Sequence, residues 1–239
     1  MKHARLGLLF LVCVECFARQ RAAAPSAASL GSVSNPMQII LLLTALTFLP
    51  AIVMCLTPFL RITIVLHFLR QALGTQTVPS NQVLIGLALF LTLLVMQPVA
   101  AEIYSNAWQP MENGELTMAG ALEEGAKPLR TYLLKFVREP EVKLFLDISK
   151  APVPARPSDL EMKIVAPAYI LSELKASFQI GAMLFLPFLV IDLMVASVTL
   201  TVGMVQLPPV TLSAPFKLLL FVLVDGWNLV IGSLMKSLY

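Results

Sequence analysis

Three ionisable side chains stand inside stretches apolar enough to cross a membrane. Asp192 lies in the run Phe178–Val202, and Lys217 and Asp225 lie in Ala214–Leu234. A charge in lipid costs several kcal/mol, so each needs a partner or a task. Two chemistries are open. Asp192 and Asp225, face to face, could share a proton as an acid–base dyad for intramembrane hydrolysis. Alternatively each carboxylate pairs with a base. If the turn between the runs centres near Pro208, Asp192 stands 16 residues before it and Asp225 17 after it. At about 1.5 Å per residue both lie roughly 24–25 Å from the tip. Lys217, nine residues past Pro208, reaches only about 13 Å, roughly 11 Å short of Asp192 and about 12 Å along its own helix from Asp225. That arithmetic leaves no comfortable pair within one hairpin. It predicts that Asp192, Lys217 and Asp225 are satisfied in part by neighbouring subunits or by Arg61, the alternative being a wet cavity that they line.

Other chemistry is thinly supplied. The two histidines are His3 and His67, too few beyond the N-terminal segment for a catalytic triad, an H-E-x-x-H motif or a two-His metal site. No glycine-rich phosphate loop occurs. Glu123/Glu124 and Glu139/Glu141 read as solvated faces. Cys13 and Cys16 have the C-x-x-C spacing but no βαβ context, and Cys55 stands alone in an apolar run. The residues therefore point away from an enzyme and call for no cofactor and no metal. The net charge of +3 is small, and nine of the 17 basic residues lie between Lys127 and Lys175, mixed with acids. That pattern does not fit a nucleic-acid partner.

The elements that must position these residues are membrane-like. Hydrophobic residues make up 58% of the 239 and charged ones 13%, with a mean hydropathy of +0.83. Soluble domains carry about twice that share of charge. The expected fold is an all-α membrane protein: two long apolar helical hairpins with a small helical extracytoplasmic region between them. Residues 1–24 have the basic start, the nine-residue apolar run Leu6–Val14 and the small residues of a cleaved signal peptide. Residues 25–36 are a Ser/Ala-rich lead-in. The first hairpin, 37–101, contains the uncharged run Met37–Leu56, broken by Pro50, then Phe59–Leu73, a break at Gly74–Pro79, and a helix capped by Ser80 or Asn81.

The charged region is 102–177. Its first helix carries Leu129, Tyr132, Leu133 and Phe136 on one face, with Pro128 in its first turn. Pro140 opens a second helix, and Ala151–Pro157 is a linker. Ser158-Asp159-Leu160-Glu161 reads as a capping box starting a long helix, with a kink at Pro167, that feeds the second hairpin, 178–239. Four crossings after a cleaved signal would place Arg61 and Arg70 inside, as the positive-inside rule asks, and 102–177 outside. The connector 203–213 is apolar where a turn leaving a membrane should be polar. Copies of it meeting on an axis could close a pore, since apolar constrictions gate by dewetting; the plainer alternative is an interfacial turn.

The motifs have a family likeness. Leu69-Arg70-Gln71-Ala72-Leu73-Gly74-Thr75-Gln76 and Pro79–Thr92 carry it, as do Ser172–Gly181, Phe185-Leu186-Pro187-Phe188-Leu189-Val190-Ile191-Asp192 and Leu207-Pro208-Pro209 through Asp225-Gly226-Trp227. Over nearly all of Met37–Tyr239 the sequence resembles the FliP family of flagellar type III export-gate subunits. The resemblance implies a non-enzymatic channel subunit. Several copies would form a pentamer-like ring with FliQ and FliR, alongside FlhB and the rest of the export apparatus. That ring would pass unfolded proteins through the bacterial inner membrane at the flagellar basal body, with the assembly projecting to the periplasmic side. Lipid is a further implied partner, nucleic acid is not.

The resemblance also implies roles for particular positions. A methionine-rich family loop ahead of the Pro-Pro pair falls on Met204, Val205, Gln206 and Leu207 as pore seal, and only Met204 keeps the pattern. Arg61, Glu173, Asp192, Lys217 and Asp225 become buried or inter-subunit charges, and Tyr132 and Phe145 packing aromatics. A competing function is an ion-coupled secondary transporter with Asp192 and Lys217 as its coupling site; it would call for an inverted repeat that the two hairpins do not show.

Overall fold

A computed structural model describes residues 35–75, 77–152, 154, 156–203 and 208–239. The expected signal peptide and the seal residues Met204–Leu207 lie outside the described residues. The chain divides into two units, Met1–Thr47 and Phe48–Tyr239. Within the first unit, the described residues are helical, and Ile39, Leu41, Leu42 and Leu46 are exposed. No strand occurs among the described residues. The fold is that of an all-α membrane protein.

Helix α1, Asn35–Cys55, runs through Pro50 without a break. The expected interruption there is corrected to Leu56–Pro58. Proline removes one backbone donor and disfavours the helical region for the residue before it, a cost that α1 absorbs at Pro50 but not at Pro58. Thr57 precedes Pro58 and its hydroxyl donates to the Met54 carbonyl at 3.2 Å, closing α1. Pro58 then caps α2, Phe59–Ala72. Helix α2 buries Arg61, Ile62, Val65, Leu66, Leu69 and Ala72, one stripe at helical spacing. The link to α3 turns at Gly74, whose φ of +74° favours glycine. Ser80 is extended and occupies the N-cap position. His67 ties the corner, Nδ1 donating to the Thr63 carbonyl at 2.8 Å and Nε2 meeting Asn81 Oδ1 at 2.7 Å.

Helix α3, Asn81–Ile103, also buries a single stripe: Leu84, Ala88, Leu91, Thr92, Val95 and Val99. Its other face shows Phe90, Leu93 and Leu94 to the outside. The helix does not stop at the first charge, Glu102. It continues through a π-turn, Tyr104–Trp108, to Glu112, 32 residues in all.

Helix α4, Met118–Phe136, starts ten residues before Pro128. The Thr117 hydroxyl accepts from the Gly120 amide at 3.2 Å and supplies the cap; Pro128 sits mid-helix rather than in the first turn. The expected apolar face is present: Tyr132 and Leu133 are buried, and Leu129 and Phe136 pack against the core. Helix α5, Glu139–Ser149, has Pro140 in its first turn and ends on Lys150 in the left-handed region, φ 50°. The capping box is corrected too. Pro157–Asp159 forms a 3₁₀ turn, and Leu160 is drawn into the core. Glu161, extended at ψ 145°, then stands as N-cap without a side-chain cap bond. Burial of Leu160 outweighs the local box.

Helix α6, Met162–Thr201, is the spine, 40 residues continuous past Pro167 and Pro187. Its first half is buried through Val165, Ala168, Tyr169, Ser172, Glu173 and Ser177. Its second half exposes Leu186, Leu189, Val190, Leu193 and Met194. Helices α4 and α5 pack on its first half, α7 on its second, and α2 along both, from Glu173 to Phe188. At Gly181 the Phe68 ring lies 2.4 Å from where a Cβ would stand. Phe68 also meets Phe178 and Phe185 edge-on, at 5.3 and 6.0 Å between centroids. The helices of 102–177 belong to the same unit, Phe48–Tyr239, as α2, α3, α7 and α8.

Helix α7, Pro209–Leu223, and helix α8, Gly226–Lys236, bend by 67° at Val224–Asp225. Asn81–Glu112 and Met162–Thr201 are each long and apolar enough to cross a membrane, and the α7–α8 pair qualifies if counted as one broken span.

Candidate functional site

The first charged centre is built by α2, α6 and the C-terminal turn. Arg61 is brought inward by the buried stripe of α2, and Glu173 by that of α6. The guanidinium grips the carboxylate as a fork, Nε to Oε2 at 2.7 Å and Nη2 to Oε1 at 2.5 Å. Glu173 is 0% exposed and Arg61 6%. The remaining donor, Nη1, reaches the Ser237 carbonyl at 3.1 Å and its hydroxyl at 3.4 Å. The Phe136 ring of α4 lies under the guanidinium, 5.3 Å from its carbon to the ring centroid, a cation–π position. Tyr132 and Tyr169 close the cluster, with ring centroids 6.5 Å apart. Neither hydroxyl has a well-formed hydrogen bond. Burial, with the Glu173 charge adding to it, pushes the Tyr132 phenol well up, so it stays neutral. Four segments thus converge on one cation. Such a pair costs much to bury and more to break.

The second centre lies inside the last hairpin. Lys217 Nζ of α7 donates to Asp192 Oδ2 of α6 at 2.7 Å, and the Ser213 hydroxyl donates to the other carboxylate oxygen. Lys217 is 2% exposed and Ser213 0%. This corrects the expectation that no pair forms within one hairpin. The depth arithmetic counted helical rise from Pro208 along both arms. The helices in fact stop at Thr201 and restart at Pro209, so depth is counted from those two ends and not from Pro208. Asp192 stands nine residues before Thr201 and Lys217 eight after Pro209, about 13 and 12 Å from their helix ends. They are level. Arg61, offered as an alternative partner, is taken by Glu173.

Asp225 stands apart from this pair: within one chain it is exposed at the elbow between α7 and α8, in the left-handed region with φ 51° and ψ 52°. Asp192, held by Lys217 and Ser213, and Asp225, at the elbow, occupy different settings, and the dyad geometry has no support.

A third group fastens α5 to α6. Glu141, buried, accepts from Lys175 at 2.6 Å. The Lys175 ammonium holds its carboxyl below the usual carboxylate range, against burial that would raise it, with Arg138 adding a smaller pull. The Arg138 amide donates to the Ser172 hydroxyl at 3.1 Å, and its guanidinium to Gln179 at 2.7 Å. Phe145 is half-buried against the main core.

Sequence reasoning missed Ser213, Ser237 and Tyr169, and placed Phe136 on an apolar face without its contact to Arg61. Ser213 was legible: it precedes Lys217 by four residues, on the same helical face. Tyr169 likewise precedes Glu173 by four. Nothing local marks Ser237, whose contribution is chiefly a carbonyl. Among the described residues no group of His, Cys, Asp and Glu could hold a metal ion. Arg61–Glu173, Glu141–Lys175 and Asp192–Lys217 bind helices to one another, and large apolar side chains on α3, α6 and α7 remain uncovered.

Residues 42–234 match the model described as the FliP family. The flagellar biosynthetic protein FliP of Pectobacterium carotovorum subsp. carotovorum is 50% identical over 203 residues, covering 85% of this chain and 79% of that protein. The Bacillus subtilis (strain 168) protein of the same name is 45% identical over 206 residues, 86% of this chain and 93% of its own. That of Caulobacter vibrioides is 44% identical over 207 residues, 87% and 78%.

Proposed function

The chain belongs to the FliP family, and from that membership we infer that it is a structural, non-enzymatic component of the flagellar protein-export apparatus in the bacterial inner membrane. Its finer role is a channel subunit: copies of the chain form a ring with FliQ and FliR, near FlhB at the basal body, and pass unfolded flagellar proteins. The observation that carries this reading is the division of labour in the surface. Arg61, Glu173, Asp192 and Lys217 are satisfied inside one chain. Phe90, Leu93, Leu186, Leu193, Phe216 and Leu219 are large, apolar and exposed on α3, α6 and α7. A single copy leaves that surface uncovered, and contiguous apolar area of this kind marks contact with lipid or protein. In this reading Met204, Val205, Gln206 and Leu207 meet on the ring axis as its seal, and 102–177 faces the periplasm.

The alternative, an ion-coupled permease, would require Asp192 or Lys217 to exchange partners during transport. The two are engaged with each other, and Ser213 completes the carboxylate, which suits a structural fastening.

The test is deletion of the gene with complementation by the intact chain. Loss of swimming and of hook-protein secretion, both restored by the chain, is the expected result. A deletion strain that swims and secretes normally would end the reading. Sizing of the detergent-extracted chain addresses the ring: a large particle with a central hole is expected, whereas a monomer that binds a small solute would favour the permease.

A further inference from the structure

The segment from Thr211 to Lys236 has the length and hydropathy of a membrane span only when α7 and α8 are counted together, and these are bent by 67°. Backbone geometry makes the bend. Val224 leaves the helix at φ −91° and ψ 8°, and Asp225 takes the left-handed conformation. Residues other than glycine seldom adopt it, aspartate and asparagine being the tolerated exceptions. Asp225 makes no side-chain cap bond to α8, and it is exposed. Its local support is backbone only, its amide donating to the Val222 carbonyl at 3.2 Å and its carbonyl accepting from the Leu229 amide at 3.2 Å.

Tertiary contacts hold the conformation as well. The Phe221 ring lies 2.2 Å from where a Cβ on Gly226 would stand, so only glycine lets the chain fold back there. Trp227 packs edge-on against Phe221 at 5.5 Å, and Phe221 lies 6.5 Å from Phe188 of α6. Beyond the end of α8, Ser237 is held by Arg61. From Phe216 to Tyr239 there is no proline, so no residue forbids a continuous helix.

We propose that Val224–Gly226 is a two-position elbow. It is bent when α8 packs on protein through the Phe221–Gly226 and Arg61–Ser237 contacts. It is straight, as one helix from Thr211 to Lys236, when the segment of a lone chain lies across a bilayer. The bilayer supplies the bias. An interrupted hydrogen-bond ladder and an exposed carboxylate are both disfavoured in hydrocarbon, while a straight helix of this length, about 39 Å, spans the core with some tilt. The inference does not depend on the export reading, and its failure would leave that reading untouched.

The test is a distance. Spin labels are introduced as unnatural amino acids at Thr211 and Lys236, both exposed, in the full chain, one copy per lipid nanodisc. A straight helix separates the two backbone positions by about 38 Å and the bent one by about 30 Å. Wild type is expected to show the longer distance. Asp225→Gly, which makes the left-handed turn easy, should move the distribution toward the shorter one. Gly226→Ala, which displaces the Phe221 ring, should remove any remaining short component, also in detergent. A wild-type distribution confined to about 30 Å in nanodiscs overturns the proposal. So does a distribution that Asp225→Gly fails to shift, an arm that stands even if the alanine variant does not fold.

Discussion

The Lys217 ammonium lies 2.7 Å from the Asp192 carboxylate, although the two residues are 25 apart in sequence and on different helices. Their meeting fixes the register of α6 against α7. A double-mutant cycle on this pair should therefore be strongly non-additive. Asp192→Asn and Lys217→Met are each expected to destabilise the chain, and the double variant by less than the sum, with a coupling of about 0.5–3 kcal/mol. Thermal unfolding of the detergent-purified protein measures it. Additive losses would mean that the pair is not energetically linked. The swap Asp192→Lys with Lys217→Asp should recover part of what the single reversals lose.

The Arg61–Glu173 fork should show the asymmetry of buried ion pairs. Glu173→Leu leaves a buried guanidinium without its counter-charge and should cost about 3–5 kcal/mol. The apolar pair Arg61→Met with Glu173→Leu should be milder than that single change. A double variant at least as unstable as Glu173→Leu in the same unfolding assay would contradict the account.

At Gly181 any side chain must displace the Phe68 ring. Gly181→Ala is expected to cost about 1–3 kcal/mol by overpacking. Adding Phe68→Leu should return part of that loss, because the smaller side chain vacates the volume. An alanine variant as stable as wild type would show that α2 and α6 can separate there freely.

Acid should loosen α5 from α6. The Glu141 carboxyl is held below its usual range, so in the unfolded chain it binds a proton more readily than in the folded one. The Lys175 contact therefore adds stability above the ordinary carboxylate pKa, and that stability is lost as pH falls through the lowered folded value. The melting-temperature difference between wild type and Lys175→Met should be largest near neutrality and shrink in acid. A difference independent of pH would assign the Lys175 effect to packing alone.

How much of this was legible depended on the range of the signal. Periodicity and composition identify the apolar helices and the Tyr132–Leu133 face, because each depends on neighbours within a few turns. Position within a helix was harder: Pro50 and Pro128 suggest boundaries, yet both sit inside helices whose packing tolerates a missing donor. Leu160 shows the same conflict at the start of α6, where burial moved the boundary past a plausible capping box. The pairs Arg61–Glu173 and Asp192–Lys217 lie beyond local reasoning. Arg61 and Glu173 are 112 residues apart, and Asp192 comes level with Lys217 only because α6 stops at Thr201 and α7 restarts at Pro209.

Helix α6 also has a mechanical consequence. Its first sixteen residues, Met162–Ser177, carry the charged helices, and the remainder is the apolar stretch that faces outward. With no break between them it is a lever about 24 Å long on the charged side. A tilt of roughly ten degrees in the apolar part would sweep the far end through about 4 Å, more than a hydrogen-bond length. Small changes in how the apolar part is seated would thus be magnified into displacements of the charged helices.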